Sequence, residues 1–266
     1  MPSIYVANDA AAYEQSMGRW SRRLAKLFLD FANVGRARRL LDVGCGTGSL
    51  SFSLADGLPE ASITGIDYGQ AYVDYARSQA SDRRLTFEQG DASALPYPDA
   101  AFDATLSLLV LNFVPDAVRA AAEMARVTKT GGVVAASVWD FRGGTTFLRV
   151  LADTAAALDP SGEAFRAKLF SGAFTAPGEF AAAWTKLDLH HVEQRGLTIR
   201  MDFESFADYW GPWLRGQGTV GAYVTGLGEE KRQTLERQVR LAYLAGGADG
   251  PRSFAATAWA VRGIKP

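Results

Sequence analysis

The chain has 266 residues with 28 basic and 29 acidic side chains, a formal net charge of −1, so nothing in its charge calls for a polyanionic partner and nucleic-acid binding is set aside. With 48% apolar residues it can bury one large α/β core with an elaboration, or two small cores, without staples. Its one cysteine, Cys45, rules out an internal disulfide, no run reaches the ~18 apolar residues of a membrane span, and the start Met-Pro-Ser-Ile-Tyr-Val-Ala lacks the basic and apolar regions of a signal peptide, so a cytoplasmic protein is expected.

Tyr13, Met17, Trp20, Leu24, Leu27, Phe28 and Phe31 recur at three- and four-residue steps and predict an amphipathic helix, interrupted at Gly18. The run Leu40-Leu-Asp-Val-Gly-Cys-Gly-Thr-Gly-Ser-Leu50 then reads as a buried strand turning sharply into a helix. Gly44, Gly46 and Gly48 allow the backbone to lie against a ligand, with peptide N–H groups exposed beside a helix start. Phosphates, carboxylates and adenosine-bearing cofactors can all use such a turn. The dinucleotide fingerprint Gly-x-Gly-x-x-Gly does not fit, because the third glycine comes one residue early.

Ser49 to Gly57 predicts a short helix, Ser62 to Asp67 a second strand, Ala71 to Ala80 a helix and Leu85 to Gln89 a third strand. Asp67 falls at a strand's carboxyl end, where a carboxylate can accept both hydroxyls of a ribose; Tyr68 comes next, placed to lie against a base. Gly90-Asp91-Ala92 closes the third strand. Leu95-Pro-Tyr-Pro-Asp-Ala-Ala-Phe-Asp103 is an extended connection. Ala104 to Leu111 is apolar enough for a central parallel strand, with Ser107, Leu108 and Asn112 toward its carboxyl end. Pro115 to Lys129 predicts a helix closed by a glycine cap at Thr130-Gly-Gly132, and Val133 to Asp140 a fifth strand. Beyond it, 145–158, 163–170, 177–186, 203–214 and 229–244 predict helices, and 190–201 and 254–262 strands. His190 and His191, adjacent in one strand, are expected on opposite faces and in structural roles. No metal-ligand spacing and no nucleophile triad is present.

Asp42-x-Gly44-x-Gly46-x-Gly48, Gly90-Asp91-Ala92 and the Leu95 to Asp103 connection together resemble class I S-adenosylmethionine-dependent methyltransferases, and among these the ubiquinone/menaquinone-type (type 11) small-molecule enzymes. The Tyr13 to Ser21 run resembles the N-terminal segment that closes over the cofactor in that group. The resemblance implies an α/β fold: a doubly wound, mostly parallel seven-stranded Rossmann-like sheet with a final antiparallel strand and an inserted helical lid. Residues 1–140 would then form the cap helix and cofactor core. Residues 141–266 would complete the same domain, with lid insertions at about 141–186 and 203–245.

The resemblance further implies S-adenosyl-L-methionine as cofactor. Tyr13, Met17, Arg19 and Trp20 would lie over it, with a sulfonium gaining cation–π stabilisation from Tyr13 or Trp20 and either Arg19 or Arg22 meeting its carboxylate. Gly44, Cys45 and Gly46 would supply the turn, Asp67 and Tyr68 would hold the ribose and adenine, Asp91 and Ala92 the adenine edge, and Ser107 and Leu108 would abut the methyl-donating end. The family often carries a histidine pair where this chain has Asn112-Phe113, so no histidine mechanism carries over. If an acceptor needs deprotonation, Asp140, Tyr13 and Asn112 are the candidates, and no catalytic residue is assigned. The expected partner is a small-molecule methyl acceptor, in a monomer or homodimer. A cofactor-binding protein without methyl transfer and an NAD(P)-dependent oxidoreductase are the alternatives.

Overall fold

Five short runs, four of them from Leu40 to Leu108 and the last after a helix, line up as parallel strands, and the central ones, at 40–43 and 104–108, are buried on both faces. The structure is a computed structural model that describes residues 9–176 and 178–266. Strands β1 (Arg39–Val43), β2 (Ser62–Asp67), β3 (Leu85–Gln89), β4 (Phe102–Leu108) and β5 (Thr128–Trp139) pair in parallel. β6 (His190–Phe203) and β7 (Arg252–Ile264) complete a seven-stranded sheet of order β3-β2-β1-β4-β5-β7-β6, with β7 antiparallel to both neighbours. This is the doubly wound sheet with a final antiparallel strand that the sequence predicts. Successive residues of β1 feed opposite cores: Leu40 packs with the helices of one face, Leu41 and Val43 with those of the other.

Helices α3 (Ser49–Gly57), α4 (Gln70–Gln79) and α5 (Ala117–Val127) connect the parallel strands. The helix-free β3 to β4 connection is held by Arg126, whose guanidinium donates to the Tyr97 and Leu95 carbonyls at 2.8 and 3.0 Å. Phe102 is buried edge-on to Tyr97, with ring centroids 5.0 Å apart. The N-terminal segment comprises α1 (Ala10–Tyr13), a π-turn (Glu14–Gly18) and α2 (Arg19–Ala32), which covers the sheet with Leu24, Phe28 and Phe31. Between β5 and β6 lie α6 (Thr146–Leu158), α7 (Pro160–Leu169) and α8 (Glu179–Lys186); between β6 and β7 lie α9 (Phe206–Trp210), a 3-10 turn (Gly211–Arg215), α10 (Gly218–Gly226) and α11 (Glu229–Leu244). Phe165 of α7 stacks on Tyr223 of α10 at 4.0 Å, and the Tyr209 hydroxyl donates to the Phe147 carbonyl at 2.7 Å, so the two insertions form one body. No helix among the described residues is long and apolar enough to cross a membrane.

Several elements differ from the sequence expectation. α5 stops at Val127 rather than at a Gly131-Gly132 cap: Thr128 turns extended, and Lys265 Nζ caps the helix by donating to the Ala125 and Arg126 carbonyls at 2.7 and 3.1 Å. β4 ends at Leu108 rather than Leu111, because Leu109 adopts a left-handed φ of 64° and a 3-10 turn occupies Leu111–Phe113. The expected alternation of His190 and His191 is broken by a register shift between His190 and Glu193, with His191 at φ 51°, and both histidines are exposed. Helix α10 has no counterpart in the sequence expectation. Its glycines oppose helix formation, but a Cβ on Gly221 would strike the Gly216 backbone, so close packing requires the bare residue. α8 leaves the lid and packs beneath the sheet, where Trp184 Nε1 donates to the Val134 carbonyl at 2.9 Å. Pro177, expected to open that helix, lies outside the described residues.

Removing the Tyr209 hydroxyl leaves the buried Phe147 carbonyl without its donor. Tyr209→Phe is expected to cost about 1–2 kcal/mol and to lower the thermal midpoint by roughly 2–6 °C; an unchanged midpoint in calorimetry would show that this bond does not hold the insertions together.

Candidate functional site: a cleft with an acidic end and an apolar end

The order β3-β2-β1-β4-β5 reverses direction between β1 and β4, and a crevice opens beyond the carboxyl ends of these strands. The turn after β1 lies at that point. Gly44 N and Cys45 N both donate to the Ile66 carbonyl, at 2.7 and 3.0 Å, which pins the turn to β2. Gly44 has a φ of 73°, and a Cβ there would overlap the Val110 side chain, so glycine is needed for both conformation and space. Asp67 then bridges two turns: Oδ2 accepts from Gly46 N at 2.9 Å and Oδ1 from Gly69 N at 2.8 Å. Burial raises the Asp67 carboxyl above its usual range, and these two N–H donors oppose the rise. Asp42, wholly buried, accepts from Ser51 Oγ at 2.6 Å through one oxygen, while the other has no partner among the described residues. Burial pushes the Asp42 carboxyl up to about 7, with the Ser51 hydrogen bond opposing and the Asp67 charge adding to the rise. Burial likewise pushes the Cys45 thiol well up, leaving it protonated and unreactive at neutral pH.

These residues border a cleft of about 660 Å³. One end presents Asp42, Asp67 and Asp91; the other is walled by Phe113, Trp139, Phe141, Leu148, Trp213 and Val220. None of the described residues lining it is Lys, Arg or His. The ionisable acids that line it are all carboxyl groups apart from the tyrosines and Cys45, and an anion there would have only backbone N–H groups and uncharged side chains to meet it.

Of the residues singled out in the sequence, Tyr13, Met17, Gly44, Cys45, Gly46, Asp67, Tyr68, Asp91, Ala92 and Leu108 line the cleft. Arg19, Trp20 and Ser107 do not. The π-turn at Glu14–Gly18 adds a residue to one turn of helix and rotates the residues beyond Gly18. Arg19 thereby pairs with Asp208 at 3.0 Å and lies over the Trp20 ring at 4.4 Å, and Trp20 is buried against Phe203. Arg22 pairs with Glu14, so neither arginine of the run faces the cleft. Ser107 is fully buried within β4 and lies outside the lining. Asp140 spends one oxygen on the Arg142 and Gly143 N–H groups, and Asn112 is buried outside the lining. Tyr13 alone of the three candidate bases borders the cleft, its hydroxyl 3.1 Å from Ser21 Oγ. Thr47, Tyr72 and Gln217 are lining residues that the sequence does not disclose; Gln217 reaches from the lid to donate to the Tyr72 hydroxyl at 2.7 Å. Gln217 lies in the glycine-rich stretch before α10, where sequence periodicity carries no signal.

Comparison with known proteins agrees with this geometry. A methyltransferase-domain family matches residues 41–136. A malonyl-[acyl-carrier protein] O-methyltransferase of Geobacter sulfurreducens is 32% identical over 258 residues, 92% of this chain and 90% of its own length. A demethylmenaquinone methyltransferase of Deinococcus radiodurans is 41% identical over 97 residues, 36% of this chain and 40% of its length. The chain spans about half or less of several such relatives, 48% of a 27-O-demethylrifamycin SV methyltransferase of Amycolatopsis mediterranei being one case. Among solved structures, a putative methyltransferase of Haloferax volcanii, in complex with the Trm112 methyltransferase activator, superposes with a TM-score of 0.61 at 20% identity over 99% of this chain and 98% of that one, which shows the shared fold. The chain belongs to the class I S-adenosylmethionine-dependent methyltransferases, of the type 11 kind.

The raised Asp42 carboxyl gives the ligand-free protein a pH signature. An acid whose folded pKa lies above its unfolded value of ~4 binds more protons when folded, so its contribution to stability falls as pH rises toward about 7 and levels off above it. Wild type is expected to lose unfolding free energy relative to Asp42→Asn between pH 5 and 7 and to run parallel to it above; parallel curves throughout in pH-dependent denaturation would contradict the buried, protonated carboxyl.

Proposed function

We propose that this chain transfers the methyl group of S-adenosylmethionine to a small, neutral, partly apolar acceptor by in-line displacement at oxygen, carbon or nitrogen. The observation that carries this reading is the division of the cleft: the Asp67 and Asp91 side chains at strand ends on one side, apolar and aromatic walls on the other, and no cation among the described lining residues. Asp67 and Asp91 suit the hydroxyls and the amino group of an adenosine, and the apolar end suits the methyl donor and its acceptor. A dinucleotide pyrophosphate would set two negative charges against these carboxylates.

When bound, the cofactor supplies a methyl carbon made electrophilic by the adjoining sulfonium. The chain's residues bind and orient. The Gly44 to Gly46 backbone approaches the ligand closely, Asp67 retains lone pairs for the ribose hydroxyls after its two N–H bonds, and Asp91 with Ala92 faces the adenine edge. Tyr68, largely exposed at the rim, covers the base, while Tyr13 and Met17 close the other side. Leu108 to Val110 and the aromatic wall exclude water and hold the acceptor in line, and alignment of this kind supplies on the order of 7–11 kcal/mol. The apolar walls hold no carboxylate or imidazole among the described lining residues, so the reaction rests on alignment and desolvation, and no protein base is assigned. On this reading residues 1–140 hold the cofactor and the lid insertions of 141–266 choose the acceptor.

The full-length relative from Geobacter sulfurreducens acts, by its name, on malonyl-[acyl-carrier protein]. The apolar and aromatic walls at the acceptor end favour a neutral acceptor over such a carboxylate, whose charge would lose its hydration there.

Two measurements test this. In calorimetry, S-adenosylmethionine and S-adenosylhomocysteine are expected to bind and NAD and NADP not to, with Asp67→Ala and Asp91→Ala each weakening binding by about 5- to 100-fold, the equivalent of a lost hydrogen bond of roughly 1–3 kcal/mol. Affinity unchanged in both variants, or binding of the nicotinamides alone, would sink the cofactor assignment. In acceptor screening, neutral phenols are expected to turn over in preference to carboxylates of matched size; turnover of carboxylates alone would overturn the acceptor class.

A further inference from the structure

We propose that Glu14 is a positioning residue for the cofactor: its carboxylate latches the N-terminal segment onto the glycine turn, through space left by the missing side chain of Gly18. The inference rests on the cofactor reading above and adds the device that holds the cover in place.

The segment that covers the cleft contributes Tyr13, Ser16, Met17 and Ser21 to its lining. Glu14 connects this segment to the turn it covers. Thr47, buried between Gly46 and Gly48, donates from Oγ1 to Glu14 Oε1 at 2.5 Å across 33 residues of sequence. Arg22 donates to the other oxygen, Oε2. Glu14 therefore makes a charge-assisted hydrogen bond while its charge is balanced by a cation eight residues further along, and its side chain is only 16% exposed, which limits screening by water.

Gly18 explains how the carboxylate reaches that position. Its φ of −55° and ψ of −42° are ordinary helical values, so the backbone does not require glycine there, and glycine costs about 1 kcal/mol relative to alanine within a helix. What the bare Cα supplies is room: an added Cβ would overlap the Glu14 carboxyl group, and the three nearest atoms to it all belong to that group. The Glu14–Gly18 stretch is also the π-turn, a strained element that tends to persist where function requires it. The π-turn, the bare glycine and the bond to Thr47 are three features of one arrangement, in which the carboxylate crosses over Gly18 and closes on the glycine turn.

Gly18→Ala tests the latch without touching either partner, because alanine suits the backbone and evicts only the carboxylate. The readouts are S-adenosylmethionine affinity by calorimetry, KM for S-adenosylmethionine and kcat at saturation, with cooperative thermal unfolding as the check on folding. Gly18→Ala, Glu14→Ala and Thr47→Val are each expected to weaken binding and raise KM by about tenfold while kcat stays within about twofold. Glu14→Gln, whose amide oxygen still accepts from Thr47 without the charge, is expected to lose less than Glu14→Ala, since the half-exposed Arg22 pair adds little. The Gly18→Ala/Glu14→Ala double variant is expected to be no worse than either single one, because both remove the same contact. Wild-type affinity in Gly18→Ala, additive losses in the double variant, or equal losses in Glu14→Gln and Glu14→Ala would each overturn the latch. Absence of binding by the wild-type protein would instead overturn the cofactor reading, and this inference with it.

Discussion

Asp67 holds two turns in register at once. Its carboxylate takes an N–H from Gly46, in the loop after β1, and another from Gly69, in the loop after β2. Both loops border the cleft. With the Ile66 carbonyl taking the Gly44 and Cys45 N–H groups, the loop after β1 is tied to β2 at three points. The remaining amides are then presented at fixed positions, α3 starts where it must, and Val110 can close against the bare Gly44. Burial disfavours the Asp67 charge and the two N–H donors favour it, so the same bonds that fix the turns keep the carboxylate able to meet a ligand.

The cleft is divided electrostatically along its length, and the two ends come from different parts of the chain. The acidic end is built from residues at strand ends in the first 92 positions, Asp42, Asp67 and Asp91. The apolar wall comes mostly from the end of β5 and from the insertions, Trp139, Phe141, Leu148, Trp213 and Val220. A low-dielectric wall facing a group of carboxylates strengthens the field that a cation meets between them. The Asp42 carboxyl is raised chiefly by its own burial, with the Asp67 charge a smaller contribution.

How much of this is legible in the sequence depends on whether a residue's role is local. Gly44, Asp67 and Asp91 can be placed because each sits at the end of a strand whose apolar run marks its own boundary. The doubly wound sheet is legible for the same reason. Arg19 and Trp20 suit cofactor contacts on the spacing of an ordinary helix, and the π-turn before them rotates both away from the cleft, where Asp208 of α9 and Phe203 at the end of β6 hold them. Nothing in Glu-Gln-Ser-Met-Gly announces a π-turn until Glu14 is seen to cross over Gly18. The end of α5 departs from its expected place because Lys265, 138 positions beyond the last helical residue Val127, does the capping that Gly131 offers on sequence grounds. α10 is hidden because its Gly221 serves packing against the Gly216 backbone, which only the folded chain brings near.

The family match ends at residue 136, within β5, and both helical insertions leave the chain after that strand. They depart from β5 and β6 and return to the edge formed by β6 and β7, away from the turns after β1, β2 and β3. Changes of length or composition in those excursions leave the Asp67 bridge and the Gly44 turn untouched. On the reading proposed above, such a chain can acquire a new acceptor wall by drift in its second half while residues 41–136 are inherited intact, and relatives with unlike acceptors would then share that stretch and little else.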